Sequence, residues 1–279
     1  MTFIPLSPCC LTGGRLTGTP RGIYRPADDE RQVGRYHTTP SNESVVSDKV
    51  AMVLYTDFFC LALPNPKIMA DAFADALGIN VFVPEYIVDP PSVDLFDSVA
   101  PLYPGQYASR SMFTSIYMFG QVILKAWRWL PAMFSPKKQL PLAQASLDEI
   151  VQEGYTKIVI VGYCRGGAMV QHLLSNSKNE CLVGGVICHP TPEESTWSNI
   201  TKPTLWNLAD QDQMFGIKDI DHLKSTFEAK EGVEFQCNVY KETLHGFATR
   251  PTLDHEPTKK AFEKANSSAI DFTRKLLFE

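Results

Sequence analysis

A chain of 279 residues, 44% hydrophobic and 20% charged, has room for one large α/β domain with a sizeable core and the balance of a globular protein. A net charge of −5 argues against nucleic acid or an anionic membrane as the main partner. The seven cysteines are odd in number and lack C-x-x-C spacing, which argues against a zinc site or a disulfide framework.

Met1 to Pro8 has neither a basic stretch nor an apolar core, so no signal peptide is read there, and Leu276 to Glu279 carries no sorting motif. A reducing cytoplasm is the expected location. Cys9 to Gly22 is full of turn residues, and residues 25–49 read as a polar surface loop. Val50 to Tyr55 is a buried strand ending at Thr56 and Asp57. Asn65 to Gly78 is a helix with Ile68, Met69, Ala72, Phe73, Ala76 and Leu77 on one face, and Gly78 stops it. Asn80 to Pro84 is the next strand. Strand, helix, strand at this spacing is a βαβ unit and implies a parallel sheet.

Residues 86–146 interrupt the alternation. A Pro- and Asp-rich loop is followed by an aromatic stretch from Tyr107 to Gly120, continuing through Trp127, Trp129 and Phe134. Ser111 to Leu124 is a run of 14 uncharged residues, short of the roughly 20 that span a bilayer. The expectation is a helical lid or pocket wall; the alternative is ordinary core helices. A short helix over Leu147–Glu153 and strands over Lys157–Val161, Cys181–Cys188, Pro203–Leu208 and Glu234–Tyr240 continue the pattern. Helices near 216–229 and Pro257–Leu277 complete it. No internal repeat or second domain boundary interrupts 1–279.

Gly162-Tyr-Cys164-Arg-Gly166 sits between a strand and Ala168–Leu174, which reads as a helix. Strand, Gly-x-Cys-x-Gly, helix is the layout of a nucleophile elbow, with glycines supplying the room a sharp turn needs. A thiol at this point needs less activation than a hydroxyl. The first reading is an α/β-hydrolase with Cys164 as nucleophile. Its acid and histidine should follow in that order. Asp210 and Asp212 lie just past one strand, and His245 lies just past the next. His37 and His255 lie in polar loops, and His172 and His222 on helices.

These residues resemble the dienelactone hydrolases, in particular their eukaryotic and fungal branch. The resemblance rests on the leader Cys9-Cys-x-x-Gly13…Gly18-x-Pro20-x-Gly22, on Asp57-Phe-Phe-Cys60, and on Gly162-Tyr-Cys164-Arg-Gly-Gly167. It rests also on Ala209-Asp-Gln-Asp212-Gln-Met-Phe215 and His245-Gly-Phe247-Ala-Thr-Arg250. It covers nearly the whole chain except 86–146. It implies an α/β-hydrolase fold, a mostly parallel central sheet flanked by helices, with the insertion as a lid.

The resemblance implies a triad of Cys164, Asp212 and His245, leaving Asp210 as a loop residue. It implies an oxyanion hole from the backbone N–H groups of Phe58 and Arg165. It gives Asp57 the place of a carboxylate that bonds the resting thiol, and Arg250 that of an arginine binding a substrate carboxylate. Arg110 is a candidate second arginine, and His189 lines the pocket or packs structurally. Cys60 stands where the family has glycine. The Arg165 side chain is expected to face away, on the surface. Cys181, Cys188 and Cys237 read as buried core residues.

The implied reaction is hydrolysis of a small activated ester or lactone through a thioester, with no metal and no organic cofactor. The partner is the small-molecule substrate, with no nucleic acid and no membrane, acting on a monomer or homodimer. An exposed aromatic patch in the insertion would favour the dimer. Two other classes stand beside it. One is an acyltransferase, cyclase or isomerase of secondary metabolism; the other is a catalytically silent binding protein on the same fold.

Overall fold

The computed structural model describes residues 14–28, 32–42, 47, 49–87, 89–90, 101–106, 111–114, 116–117, 120, 124, 127, 138–176 and 179–279. Its strands are β1 (Ile23–Arg25), β2 (Arg35–Thr38), β3 (Val50–Tyr55), β4 (Asn80–Pro84), β5 (Lys157–Tyr163), β6 (Leu182–Cys188), β7 (Thr204–Ala209) and β8 (Phe235–Tyr240). They form one sheet in the order β1-β2-β4-β3-β5-β6-β7-β8. Every pairing from β4 across to β8 is parallel, while β2 joins β4 and β1 joins β2 antiparallel.

The central strands β3, β4, β5 and β6 are near-continuous apolar runs because helices cover the sheet. All six residues of β3 are buried, as are Ile158 to Tyr163 of β5. The helices are α1 (Asn65–Leu77), α2 (Leu140–Gln152), α3 (Arg165–Asn176), α4 (Glu194–Trp197), α5 (Ile217–Glu228) and α6 (Glu256–Phe278). α1 packs on β4 and meets α6, and α3 lies against β3, β5 and β6 and meets α2. Trp197, Trp206 and Phe227, with ring centroids 6.1 and 5.9 Å apart in turn, lock α4, β7 and α5 together.

Two expectations need correction. The segment read as a surface loop over 25–49 contributes β2, which has no apolar run to betray it. Three of its side chains, those of Arg35, Tyr36 and His37, instead meet partners from distant elements. Arg35 pairs with Glu153 and lies 4.8 Å over the Phe82 ring. The Tyr36 hydroxyl donates to Asp71 at 2.7 Å, and His37 stacks on Phe82 at 4.4 Å. α2 begins at Leu140 rather than Leu147. Pro141 fits its first turn, where no intrahelical N–H is needed, and Ala143, Ser146, Leu147 and Ile150 are buried at helical spacing.

At its ends the insertion supplies core residues, Tyr86, Ile87 and Ala143, whereas in its aromatic stretch Met112, Phe113, Ile116 and Tyr117 are exposed. These exposed residues are therefore not part of a core, as the alternative reading had it. Because the strands from β3 to β8 run parallel, the ends of β3, β5, β6, β7 and β8 share one edge. That edge carries Asp57, Cys164, His189, Asp212 and His245, and it is where ligand sites of parallel sheets form.

Candidate active site

β5 ends at Tyr163 and α3 begins at Arg165, so Cys164 alone turns the chain. Its φ is +53°, the left-handed region. A cysteine there costs about 1–3 kcal/mol and persists only where the surroundings impose it. They do so by close backbone approach. A Cβ on Gly162 would lie 2.3 Å from the Gly166 carbonyl oxygen, and one on Gly166 only 2.0 Å from the Tyr55 carbonyl oxygen. The Cys164 N–H donates to the Cys188 carbonyl at 3.1 Å, and the Gly166 N–H to that of Thr56 at 2.9 Å. Cys60 repeats the theme. It stands at φ +50°, a glycine-like conformation carried by a buried thiol whose pKa burial pushes up to about 11.

The turn after β8 presents His245. Asp210 supports that turn by accepting the Thr243 N–H at 3.2 Å. Asp212 meets the imidazole itself, its two carboxylate oxygens 3.0 and 2.9 Å from Nδ1. Asp212 also accepts the Met214 N–H at 2.8 Å, which fixes the carboxylate. Nε2 is buried and meets no hydrogen-bond acceptor or donor of full geometry among the described residues, although Cys164 acts on the ring. Burial pushes the His245 pKa down; the charges of Cys164 and Asp212 outweigh it and raise the pKa to about 10.

Buried Asp57 and half-buried Arg250 form a pair, Oδ2 and Nε lying 3.2 Å apart in contact rather than in hydrogen-bond alignment. The other Asp57 oxygen accepts the Phe59 N–H at 3.0 Å. Thus the partners of Asp57 among the described residues are that amide and Arg250 rather than the thiol. Burial pushes its carboxyl above the ordinary range, against the pull of Arg250. Arg250 also lies 4.8 Å over the Phe59 ring. Removing one member of such a pair leaves the other uncompensated. Arg250→Ala is therefore expected to cost about 3 kcal/mol in a denaturant titration, and adding Asp57→Asn should return much of it. A double-variant loss equal to the sum of the two single-variant losses would mean the two do not couple.

His189 is fully buried at φ +33°, with its ring 5.1 Å from that of His245 and 5.7 Å from that of Phe247. Burial, with the charges of His245 and Arg250, holds its pKa well below the ordinary value, so it is neutral. Neither of its nitrogens has a partner among the described residues.

The expectation of a surface Arg165 is overturned: the residue is 2% exposed. Its Nε donates to Gln139 Oε1 at 2.8 Å, and burial lowers its pKa against the charges of Tyr86, Glu193 and Cys164. The first turn of α3 is roofed by chain more than twenty residues upstream, which local sequence does not reveal. Arg110 lies outside the described residues.

Two positioning residues escaped the sequence reading. Buried Asn65 donates to the carbonyls of Gly14 and Thr249 at 2.7 and 2.8 Å and accepts the Leu16 N–H at 2.9 Å. It thereby ties the leader to the loop that carries His245 and Arg250. Buried Gln171 donates to the carbonyls of Gly167 and Thr191 and accepts from the Glu193 amide and the Trp197 indole, all within 3.1 Å. It fastens α3 to the segment after His189. Either could pass for a helix polar residue; only the count of satisfied partners distinguishes it.

A cavity of about 320 Å³ lies between Gly14, Tyr103, Gln106, Pro251 and His255, and none of Cys164, Asp212 and His245 lines it. Among the described residues no group of three or more His, Cys, Asp or Glu side chains is arranged to hold a metal ion.

A mostly parallel eight-stranded sheet with a left-handed Cys164 on the β5–α3 elbow has the architecture of the α/β-hydrolases. The dienelactone hydrolase family profile matches residues 100–277, and the chain belongs to that family. It is 28% identical over 99% of its length, and 99% of the other's, to the hydrolase pyvD of Aspergillus violaceofuscus. It is 26% identical to the carboxymethylenebutenolidase homolog of Xenopus tropicalis, covering 91% of this chain and 93% of that one. A dienelactone hydrolase-like promiscuous phosphotriesterase from metagenomic libraries shares the fold, with a TM-score of 0.60 and 16% identity over 88% of this chain and 92% of that one. The chain is a carboxylic ester hydrolase.

Proposed function

We propose that the chain hydrolyses small activated esters or lactones through a thioester on Cys164. The observation that carries this reading is the elbow cysteine acting on an imidazole whose Nδ1 is gripped by Asp212. The Cys164 thiolate attacks the acyl carbon, and the carbonyl electron pair moves onto its oxygen. The N–H groups of Phe58 and Arg165 receive that charge; Arg165 stands at the first position of α3, where an amide has no intrahelical acceptor. Collapse expels the leaving oxygen, which takes the proton from His245 Nε2. Water, deprotonated by His245, then attacks the thioester. The thiolate leaves and the acid product departs.

A thiolate is itself a good leaving group, so the tetrahedral intermediate partitions forward when the departing oxygen is an enolate or phenolate. Amides are poor substrates for the same reason. Asp57, Arg250 and His189 border the reacting atoms. Because Arg250 is already paired with Asp57, a substrate carboxylate would share its guanidinium with that residue.

Removing the Asp212 charge tests the arrangement. His245 serves as acid only while protonated, and Asp212 is one of the two charges that raise its pKa. Asp212→Asn should lower kcat/KM on an aryl ester by about a thousand-fold. It should also move the alkaline limb of the pH profile, set near 10 in the wild type, toward neutrality. An unchanged limb with near-normal turnover would remove Asp212 from the mechanism.

A further inference from the structure

The net charge of −5 conceals an uneven distribution. From Ser98 to Leu147 the sequence contains Arg110, Lys125, Arg128, Lys137 and Lys138 and no Asp or Glu. The whole chain has 26 basic and 31 acidic residues, so the remainder has 21 and 31, a net charge of −10. The basic stretch also holds two of the four tryptophans, Trp127 and Trp129.

Within it Met112, Phe113, Ile116, Tyr117, Leu124 and Trp127 are 62–79% exposed. Phe113, Tyr117, Gly120, Leu124 and Trp127 recur at alternating steps of four and three, the spacing of one helix face. Residues 112–114, 116–117, 120 and 124 are helical. An amphipathic helix of a globular domain turns such a stripe inward. A run of large apolar side chains left outside calls for a partner.

We propose that this stripe docks on an anionic lipid surface. Ser111 to Leu124 is too short to span a bilayer, and among the described residues no helix is long and apolar enough to cross one. Lying in the interface requires what is present: Trp, Phe and Leu at the spacing of one helix face, with Lys125 and Arg128 adjoining Leu124 and Trp127 in the sequence. The charge division sets the orientation. Anionic headgroups attract the basic stretch and repel the rest of the chain, so the stripe is turned to the surface. A second copy is a poorer occupant, since a two-fold contact sets the two basic stretches against each other. The average charge, which argued against a membrane, misses this because the two signs lie in different parts of the chain. Docking of this kind is independent of the chemistry at Cys164.

The full chain is floated with vesicles of phosphatidylcholine alone and of phosphatidylcholine mixed with phosphatidylserine. Binding is expected to the mixed vesicles only, to weaken with salt, and to shift tryptophan emission to the blue. The exposed triple variant Phe113→Ser, Tyr117→Ser, Trp127→Ser should partition about ten-fold less or weaker still, with an unchanged urea-unfolding midpoint as the sign of an intact fold. Lys125→Glu with Arg128→Glu should abolish the preference for phosphatidylserine. Failure of the wild type to float with mixed vesicles at low salt overturns the proposal, as does a triple variant that floats equally well. A concentration-dependent dimer abolished by the triple variant, with no flotation, would assign the stripe to a second copy.

Discussion

Cys164→Ala is expected to lower turnover of an aryl ester by about 10⁴-fold or more, leaving only what the oxyanion amides and substrate binding supply. Alanine keeps the backbone of the elbow. The hydrogen bonds from the Cys164 and Gly166 N–H groups do not involve the side chain. The variant should therefore remain folded, with its loss confined to kcat. The wild type should also lose activity in step with alkylation of one thiol. Of the other described cysteines, Cys60 and Cys188 are buried, and burial pushes their pKa values up to about 11 and 12, so they alkylate slowly. Cys181 and Cys237 are half-buried rather than core residues as expected, so the labelled thiol is assigned by peptide mass. Turnover within about ten-fold of wild type in Cys164→Ala would sink the thioester mechanism, since no nucleophile loss is that mild.

The largest structural effect is expected at Gly166. Its added methyl would lie 2.0 Å from the Tyr55 carbonyl oxygen and 2.4 Å from that carbon. Both are backbone atoms of β3, a strand buried along its whole length, so no side chain can swing aside. Either α3 lifts from β3 or the strand shifts. The Gly166 N–H bond to Thr56 is lost in either case. Overpacking of this kind, with a broken buried hydrogen bond, places Gly166→Ala at about 3–4 kcal/mol or beyond. Urea unfolding followed by tryptophan emission would measure it through the buried Trp197 and Trp206. A midpoint within about 0.5 kcal/mol of wild type would show that the elbow has slack that the close approach denies.

The order of the candidate site residues was readable because each stands beside a local signal. Cys164 sits between glycines at a strand–helix junction, and Asp212 and His245 lie just past apolar runs. A parallel sheet then does the rest, since strands that run the same way deliver their ends to one edge. The choice of Asp212 over Asp210 needed the family resemblance. In space the two carboxylates divide the work, one on the imidazole and one on the turn before it.

What stayed hidden was every feature set by partners distant in the chain. β2 has the composition of a loop and becomes a strand because Phe82, Asp71 and Glu153 receive its side chains. Arg165 has a surface residue's chemistry and is buried by Gln139 and Tyr86. Asn65 looks like a helix start and is a three-bond clamp between segments more than 230 residues apart. Hydrophobic periodicity and glycine placement are short-range signals, so the amino-acid sequence by itself determined the strand–helix alternation and the elbow with a cysteine at its tip. Burial of a polar group depends on whether its hydrogen bonds are met by chain that folds over it later. Only the tertiary structure could decide that Arg165 lies inside and that Asp57 is paired with Arg250.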